Sequence, residues 1–110
     1  MEQNRPETWT EIELKVLYWA QERKLINRSG APKQMIKVME EVGELAREVL
    51  KADTSPTQRV ELKDAIGDVL VTIIILTTQL GLDTEECLLH AYNEISGRTG
   101  KTINGIFVKD

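Results

Sequence analysis

The sequence predicts an all-α protein, a four-helix bundle ending in a short C-terminal hairpin or extended tail. Three observations carry this. Apolar residues recur at helical spacing through four segments. Those segments are bounded by breakers and caps, namely Pro32, Ser55-Pro56, Gly81, Asp83 and Gly97. Beyond Gly97 the character changes, and apolar residues flank Asn104-Gly105 as in a hairpin. The chain reads as one domain, residues 1–110, with a helical core over about 10–96 and a tail over 97–110.

Residues 1–8 are polar, contain Pro6, and read as a loose arm. A first helix is expected from about Thr10 to Ile26, with Ile12, Val16, Trp19 and Ala20 on its apolar face. Trp19 reads as core or subunit-interface packing, with base stacking the sharper alternative. Asn27-Arg28-Ser29-Gly30-Ala31 is a polar connection, and Pro32 suits the first turn of a second helix lasting to about Lys51. On that helix Met35, Met39, Val42, Ala46 and Val49 share one face, and Gln34, Lys37, Glu41, Glu44 and Glu48 lie along its flank.

A loop from Asp53 to Pro56 follows, in which Ser55 is the expected N-cap, Pro56 is N1 and Gln58 stands at N3, close to a capping box. The third helix, Pro56 to Leu80, contains a β-branched run from Ile66 to Ile75 that on propensity favours a strand. Its length and the polar face upstream decide for helix, and apolarity on all sides predicts deep burial. Gly43 and Gly67 each cost a helix about 1 kcal/mol relative to alanine, and so are expected to mark a close backbone approach between the second and third helices. Gly81 closes the third helix, and Asp83 with Glu86 caps a fourth that reaches Ile95 or Ser96. Leu88, Ala91, Tyr92 and Ile95 form its apolar stripe, with Cys87 and His90 as packing or edge residues. Arg98, Gly100 and Lys101 read as a basic turn, and Thr102 to Val108 as a hairpin with a type I′ turn at Asn104-Gly105.

Hydrophobic residues at 41% and charged residues at 29% describe an ordinary globular protein. A net charge of −4 without any block of lysine and arginine argues against a nucleic-acid polymer as partner. The longest apolar stretch, Val69 to Leu76, is far short of the roughly 20 residues of a membrane span. Cys87 stands alone and the N-terminal residues are polar, so no internal disulfide and no signal segment are expected, and the cytoplasm is the expected compartment. The all-round apolarity of the third helix in so small a chain predicts a homodimer or homotetramer.

The chemistry is carried by acids. Glu40, Glu41 and Glu44 stand on the second helix, and Glu61, Asp64 and Asp68 align along the third. Like charges one turn apart cost roughly 0.2–0.5 kcal/mol per pair. A solvated acidic face partnered by Lys37, Arg47, Lys51 and Lys63 is the bland account of either helix alone. The two together, each with a glycine in its motif, point to a hard divalent cation with oxygen ligands, Mg²⁺ above all.

The motifs Glu40-Glu41-Val42-Gly43-Glu44-Leu45 and Asp64-Ala65-Ile66-Gly67-Asp68-Val69-Leu70, with Trp19-Ala20, Gln34, Lys37, Gly81-Leu82-Asp83 and Ala91-Tyr92-Asn93-Glu94-Ile95, resemble the MazG-like superfamily of all-α nucleotide pyrophosphohydrolases, in its short single-domain bacterial and phage layout. The resemblance covers roughly residues 10–101 and implies hydrolysis of a nucleoside triphosphate between its α and β phosphates, giving the monophosphate and pyrophosphate. It implies Mg²⁺ (with Mn²⁺ as an alternative ion) held by Glu41, Glu44 and Asp68, and Glu40 as a further ligand or the base that orients water. The acid expected three residues before Asp68 is replaced by Ala65, and Asp64 is its candidate substitute. Asn93 matches a substrate-binding asparagine, and Lys37, Arg98 and Lys101 are candidates for contacting the phosphates. Two rival expectations stand beside this one: an all-α dUTPase or phosphoribosyl-ATP pyrophosphohydrolase, and a non-catalytic helical interaction module.

Overall fold

A computed structural model describes residues 5–51 and 54–110. In chain order it contains α1 (Trp9–Glu22), a 3-10 turn (Arg28–Gly30), α2 (Ala31–Leu50), α3 (Pro56–Gln79), α4 (Thr84–Ser96), β1 (Gly100–Ile103) and β2 (Ile106–Lys109). The expectations for residues 1–4 of the arm and for Asp53 in the α2–α3 loop lie outside the described residues. No single helix among the described residues is long and apolar enough to cross a membrane.

Local chemistry sets the helix ends. Thr8 and Glu11 form a reciprocal capping box at the start of α1: the Glu11 amide donates to Thr8 Oγ1 at 3.2 Å and the Thr8 amide to Glu11 Oε1 at 3.1 Å. The Arg5 guanidinium clamps both Glu11 oxygens at 2.9 and 3.0 Å. That contact, with the Thr8 amide behind it, pushes the Glu11 carboxyl down to about 2. Ser55 caps α3 by accepting from the Gln58 amide at 3.1 Å, with Pro56 in the first turn. Gln58, only 2% exposed, then donates its side-chain nitrogen to the Glu48 carbonyl at 2.8 Å and ties the end of α2 to the start of α3. Gly81, at φ 74°, ends α3 with the Leu82 amide on the Thr77 carbonyl (2.8 Å) and the Gly81 amide on that of Thr78 (3.0 Å). The Asp83 side chain caps α4.

The end of α1 departs from the sequence expectation. The helix stops at Glu22 rather than near Ile26, because Lys24 takes the left-handed conformation at φ 58°. The Leu25 amide bonds the Ala20 carbonyl at 3.0 Å and the Lys24 amide that of Gln21 at 2.9 Å, which is the same closure as at Gly81 but with lysine in the glycine position.

The core is the seam where α2 lies along α3, with α1 packed on α3 beside it. Ala20, Ala31, Val38, Ala65, Ile74 and Ile75 fill it, together with the polar Gln58, Thr72 and Gln79. Several expectations are corrected here. The α2 face turned to α3 carries Gln34, Val38, Glu41, Leu45 and Glu48, whereas Met35, Met39, Val42 and Val49 are exposed. Burial of α3 is one-sided, since Val60, Ile66 and Leu70 are exposed: α1 and α2 cover only part of its circumference, and α4 touches it only lightly. A Cβ at Gly43 or Gly67 would meet nothing within 4 Å, so neither glycine marks a close approach. And α4 bends away from α3 by 99°, with Leu88, Tyr92 and Ile95 in the open and no residue buried.

The hairpin pairs Gly100 with Lys109 through Ile103 with Ile106, and its turn carries positive φ at Asn104 (51°) and Gly105 (79°), as a type I′ turn requires. Gly100 and Lys101 belong to β1 rather than to a turn. A Cβ at Gly100 would run into the Val108 carbonyl oxygen and sit 2.7 Å from the Phe107 ring, so the strand passes there only because the residue is glycine.

Left-handed backbone costs a non-glycine residue roughly 1–2 kcal/mol, part of which glycine loses again in chain entropy. Lys24→Gly is therefore expected to raise unfolding stability by about 0.5–1 kcal/mol in urea titrations, while Lys24→Ala leaves it unchanged or lower.

Candidate active site

The α2–α3 seam decides which acids face one another. Counting along α2, Gln34, Lys37 and Glu41 border an open cavity of about 560 Å³ between α1, the 3-10 turn, α2 and α3. Asp68, Thr72, Ile75 and Gln79 border it from α3, and Trp19 from α1. A second cavity of about 230 Å³ lies next along the seam, between Glu44, Arg47 and Glu48 of α2 and Glu61, Asp64 and Ala65 of α3. Asp68 borders both.

Glu41 is the acid of the seam whose carboxyl is pushed upward. Its side chain is 13% exposed, and its Oε2 atom is buried with no hydrogen-bond partner among the described residues. Burial pushes its carboxyl above the ordinary carboxylate range, and the charges of Glu44 and Asp68 push the same way. Lys37, at 3.9 Å, offsets only part of this. Further along the seam the acids are neutralised differently: Lys51 holds Glu48 at 2.9 Å and Glu61 at 3.7 Å, and the Glu48 carboxyl is lowered as a result.

The remaining expected residues fall in three places. Glu44, Asp64 and Asp68 are exposed residues on the walls of the cavities. Glu40 points away: one residue round the helix from Glu41, it borders neither cavity and pairs with Lys37 at 3.5 Å. Asn93 and Lys101 are exposed on α4 and β1 and border neither cavity, and Arg98 borders a separate hollow with Tyr92, Ile95 and Phe107. Ala65 is buried in the seam facing α2, so a longer acid there would enter the contact between the helices. Among the described residues, no three Asp, Glu, His or Cys side chains close into a ready-made metal cluster.

The sequence places Thr72 on the line of Glu61, Asp64 and Asp68, but it does not single out Gln79 as a cavity-wall residue. The signal for Gln79 was its place seven residues, two helical turns, beyond Thr72 on the same face. Trp19, expected as core or interface packing, is 48% exposed on the cavity wall, with the Arg23 guanidinium 4.3 Å from its ring.

Residues 31–102 match the model of the MazG nucleotide pyrophosphohydrolase domain. The chain belongs to this MazG family. The matched stretch opens at the first residue of α2 and ends within β1, so it contains every acid of the seam and leaves out α1 with Trp19. The MazG chain is also similar to the "Uncharacterized 18.2 kDa protein in rep-hol intergenic region" of Haemophilus phage HP1 (strain HP1c1), 41% identical over 66 residues. That match takes in 60% of this chain and 37% of the relative, so the two share a segment and not their full lengths.

A carboxyl whose value is raised on folding binds its proton more tightly folded than unfolded, so its contribution to stability is lost as pH rises from the ordinary 4.5 through the raised value. For this MazG domain in metal-free buffer, Glu41→Gln is expected to raise the melting temperature at neutral pH and to flatten the fall in stability above the ordinary carboxylate range. Calorimetric scans across pH with a chelator present read both effects.

Proposed function

We propose that this MazG domain is a divalent-metal-dependent nucleoside triphosphate pyrophosphohydrolase, cleaving the α–β phosphoanhydride to give a nucleoside monophosphate and pyrophosphate. The observation that carries this is Glu41: a carboxylate with a buried, unpartnered oxygen, raised by burial and by Glu44 and Asp68, on the wall of a cavity of about 560 Å³. Its family membership supports the same reading.

The residues present fit a hard cation. The donor set is all carboxylate oxygen, one oxygen of Glu41 has no hydrogen-bond partner among the described residues, and the mutual repulsion of Glu41, Glu44 and Asp68 is of the kind positive charge removes. Glu41, Glu44 and Asp68 would hold Mg²⁺, or Mn²⁺ in its place, with Asp64 supplying the acid that Ala65 lacks. The chemistry such an ion supplies when bound is neutralisation of phosphate charge and acidification of water.

The side chains then have separate tasks. A seam carboxylate takes the proton of the attacking water as its oxygen bonds to phosphorus, and the bridging P–O bond breaks so that pyrophosphate leaves with that electron pair. Lys37, bound to Glu40 and Glu41 on the cavity wall, turns to the phosphate chain when it enters. Glu40 holds Lys37 or orients the water.

Asn93, Arg98 and Lys101 stand on the projecting α4 and hairpin, away from the acids of their own chain. The exposed apolar faces of α2 and α4 support a homodimer or homotetramer in which these residues reach the site of another copy. Sedimentation at low micromolar concentration is expected to give a dimer or tetramer mass, and a monomer would remove this part of the reading.

Pyrophosphate release from a panel of nucleoside triphosphates, with and without Mg²⁺, tests the whole. Glu41→Gln and Asp68→Asn are each expected to lower the rate by at least about 100-fold. Asp64→Asn is expected to shift the Mg²⁺ dependence nearly as far as Asp68→Asn, and an unchanged titration would make Asp64 a surface residue. Buried Ala65 favours one second reading, a non-catalytic helical module, which predicts no release from any nucleotide.

A further inference from the structure

The larger cavity changes character along its length. From Asp68 to Gln79 its α3 wall spans eleven residue steps, roughly 16 Å of helix rise, and turns from acid to apolar and amide through Val71, Thr72 and Ile75. Trp19 and Leu25 face this part from the α1 side. An apolar hollow with an aromatic wall and a few fixed polar groups, opening onto a row of carboxylates, has the polarity of a nucleotide: a flat base at one end and phosphates at the other.

The polar groups at the apolar end are oriented by the backbone. Gln79 Nε2 donates to the Leu25 carbonyl at 2.8 Å, and Gln34 Nε2 to the Thr72 carbonyl at 3.1 Å. These contacts settle which end of each carboxamide is nitrogen. The Thr72 hydroxyl donates to the Val69 carbonyl at 2.7 Å, so towards a ligand it is left as an acceptor. Gln79 is 6% exposed, and its Oε1 is buried and accepts from nothing among the described residues. Gly30 keeps the amide in place, because a Cβ there would come within 3.1 Å of Gln79 Nε2 and 3.2 Å of Asn27 Oδ1. Lys24, Asn27 and Lys33 also border the cavity as donors, so what distinguishes this end is an acceptor, a buried amide oxygen with nothing to accept among the described residues.

We propose that the apolar end of this cavity is a nucleobase site that selects bases with an exocyclic amine beside a ring nitrogen, cytosine and adenine, with Trp19 as the stacking surface and Gln79 Oε1 as acceptor of the amine N–H. This rests on the nucleotide reading above and names the substrate class within it. The amine of cytosine or adenine brings N–H donors where thymine and uracil present a carbonyl oxygen. Opposite Gln79 Oε1 that oxygen is rejected, because acceptor then meets acceptor and the buried amide stays unpaired.

The test uses the full chain carrying Trp9→Phe, so that Trp19 is the only tryptophan, in metal-free buffer. Fluorescence titration with dCMP, dAMP, dUMP and dTMP is expected to show quenching, with dCMP or dAMP bound at least about tenfold more tightly than dUMP and dTMP. Gln79→Leu is expected to bring the four within roughly threefold. Equal affinity for amine and keto bases, saturation without any change in Trp19 emission, or a preference that survives in folded Gln79→Leu overturns the proposal. The comparison among bases in the parent needs no Gln79 variant, so poor folding of that variant does not remove the test. Parallel pyrophosphate release from the corresponding triphosphates separates the two readings. Mg²⁺-dependent release from all bases alike overturns the base site alone, whereas neither release nor binding of any nucleotide overturns both.

Discussion

The antiparallel contact of α2 with α3 is the constraint from which the rest follows. It sets Val38 and Ala65 between the helices, and it places Glu41 where water is scarce and two further acids are close. An apolar seam alone would be more stable without that carboxylate, since a charge brought out of water needs a partner and Lys37 is too far and too exposed to serve fully. The fold tolerates the misfit because apolar burial on either side of it, at Val38 and at Ile74 and Ile75, holds the helices in register. If Glu41 holds the cation, as proposed above, stability and function pull in opposite directions at one residue.

The polar groups of the seam follow one pattern. Gln58, Gln34 and Gln79 each extend a side-chain nitrogen to a backbone carbonyl of another element, at 2.8, 3.1 and 2.8 Å. Gln58 joins the α2 end to α3, Gln34 joins α2 to mid-α3, and Gln79 joins the α3 end to the chain just beyond α1. These are non-local hydrogen bonds in a half-dry environment, where losing either partner leaves a buried group unsatisfied. They fix the helices relative to one another at three levels, which an apolar contact, being non-directional, does not do.

Much of this was legible in the sequence. Ser55-Pro56, Gly81-Leu82 and Asn104-Gly105 marked their boundaries because each has local chemistry with one good solution. The two acidic motifs were visible from spacing alone, and the helix over the β-branched run at Ile66–Ile75 followed from its length. What escaped depends on partners that a single sequence does not display. The α1 terminus was misplaced because Lys24, not glycine, occupies the left-handed position. The inward face of α2 was assigned to its methionines because hydropathy ranks them above Gln34 and Glu41, whereas the tertiary contact buries the polar flank. Glu40 and Glu41 are indistinguishable in a motif, yet 100° of rotation puts one in the seam and the other outside it.

The right-angled departure of α4 has a consequence for how the molecule opens. From Thr84 to Lys109 no residue is buried, so the backbone hydrogen bonds of α4 and the hairpin are protected by their own geometry and little else. A helix of 13 residues lies at the margin of independent stability in water. In an isolated chain the amide protons beyond Asp83 therefore exchange through local unfolding at a small free energy, while those of the α2–α3 seam exchange only when the whole domain unfolds. Opening is thus expected in two steps divided near Gly81, the outer one first.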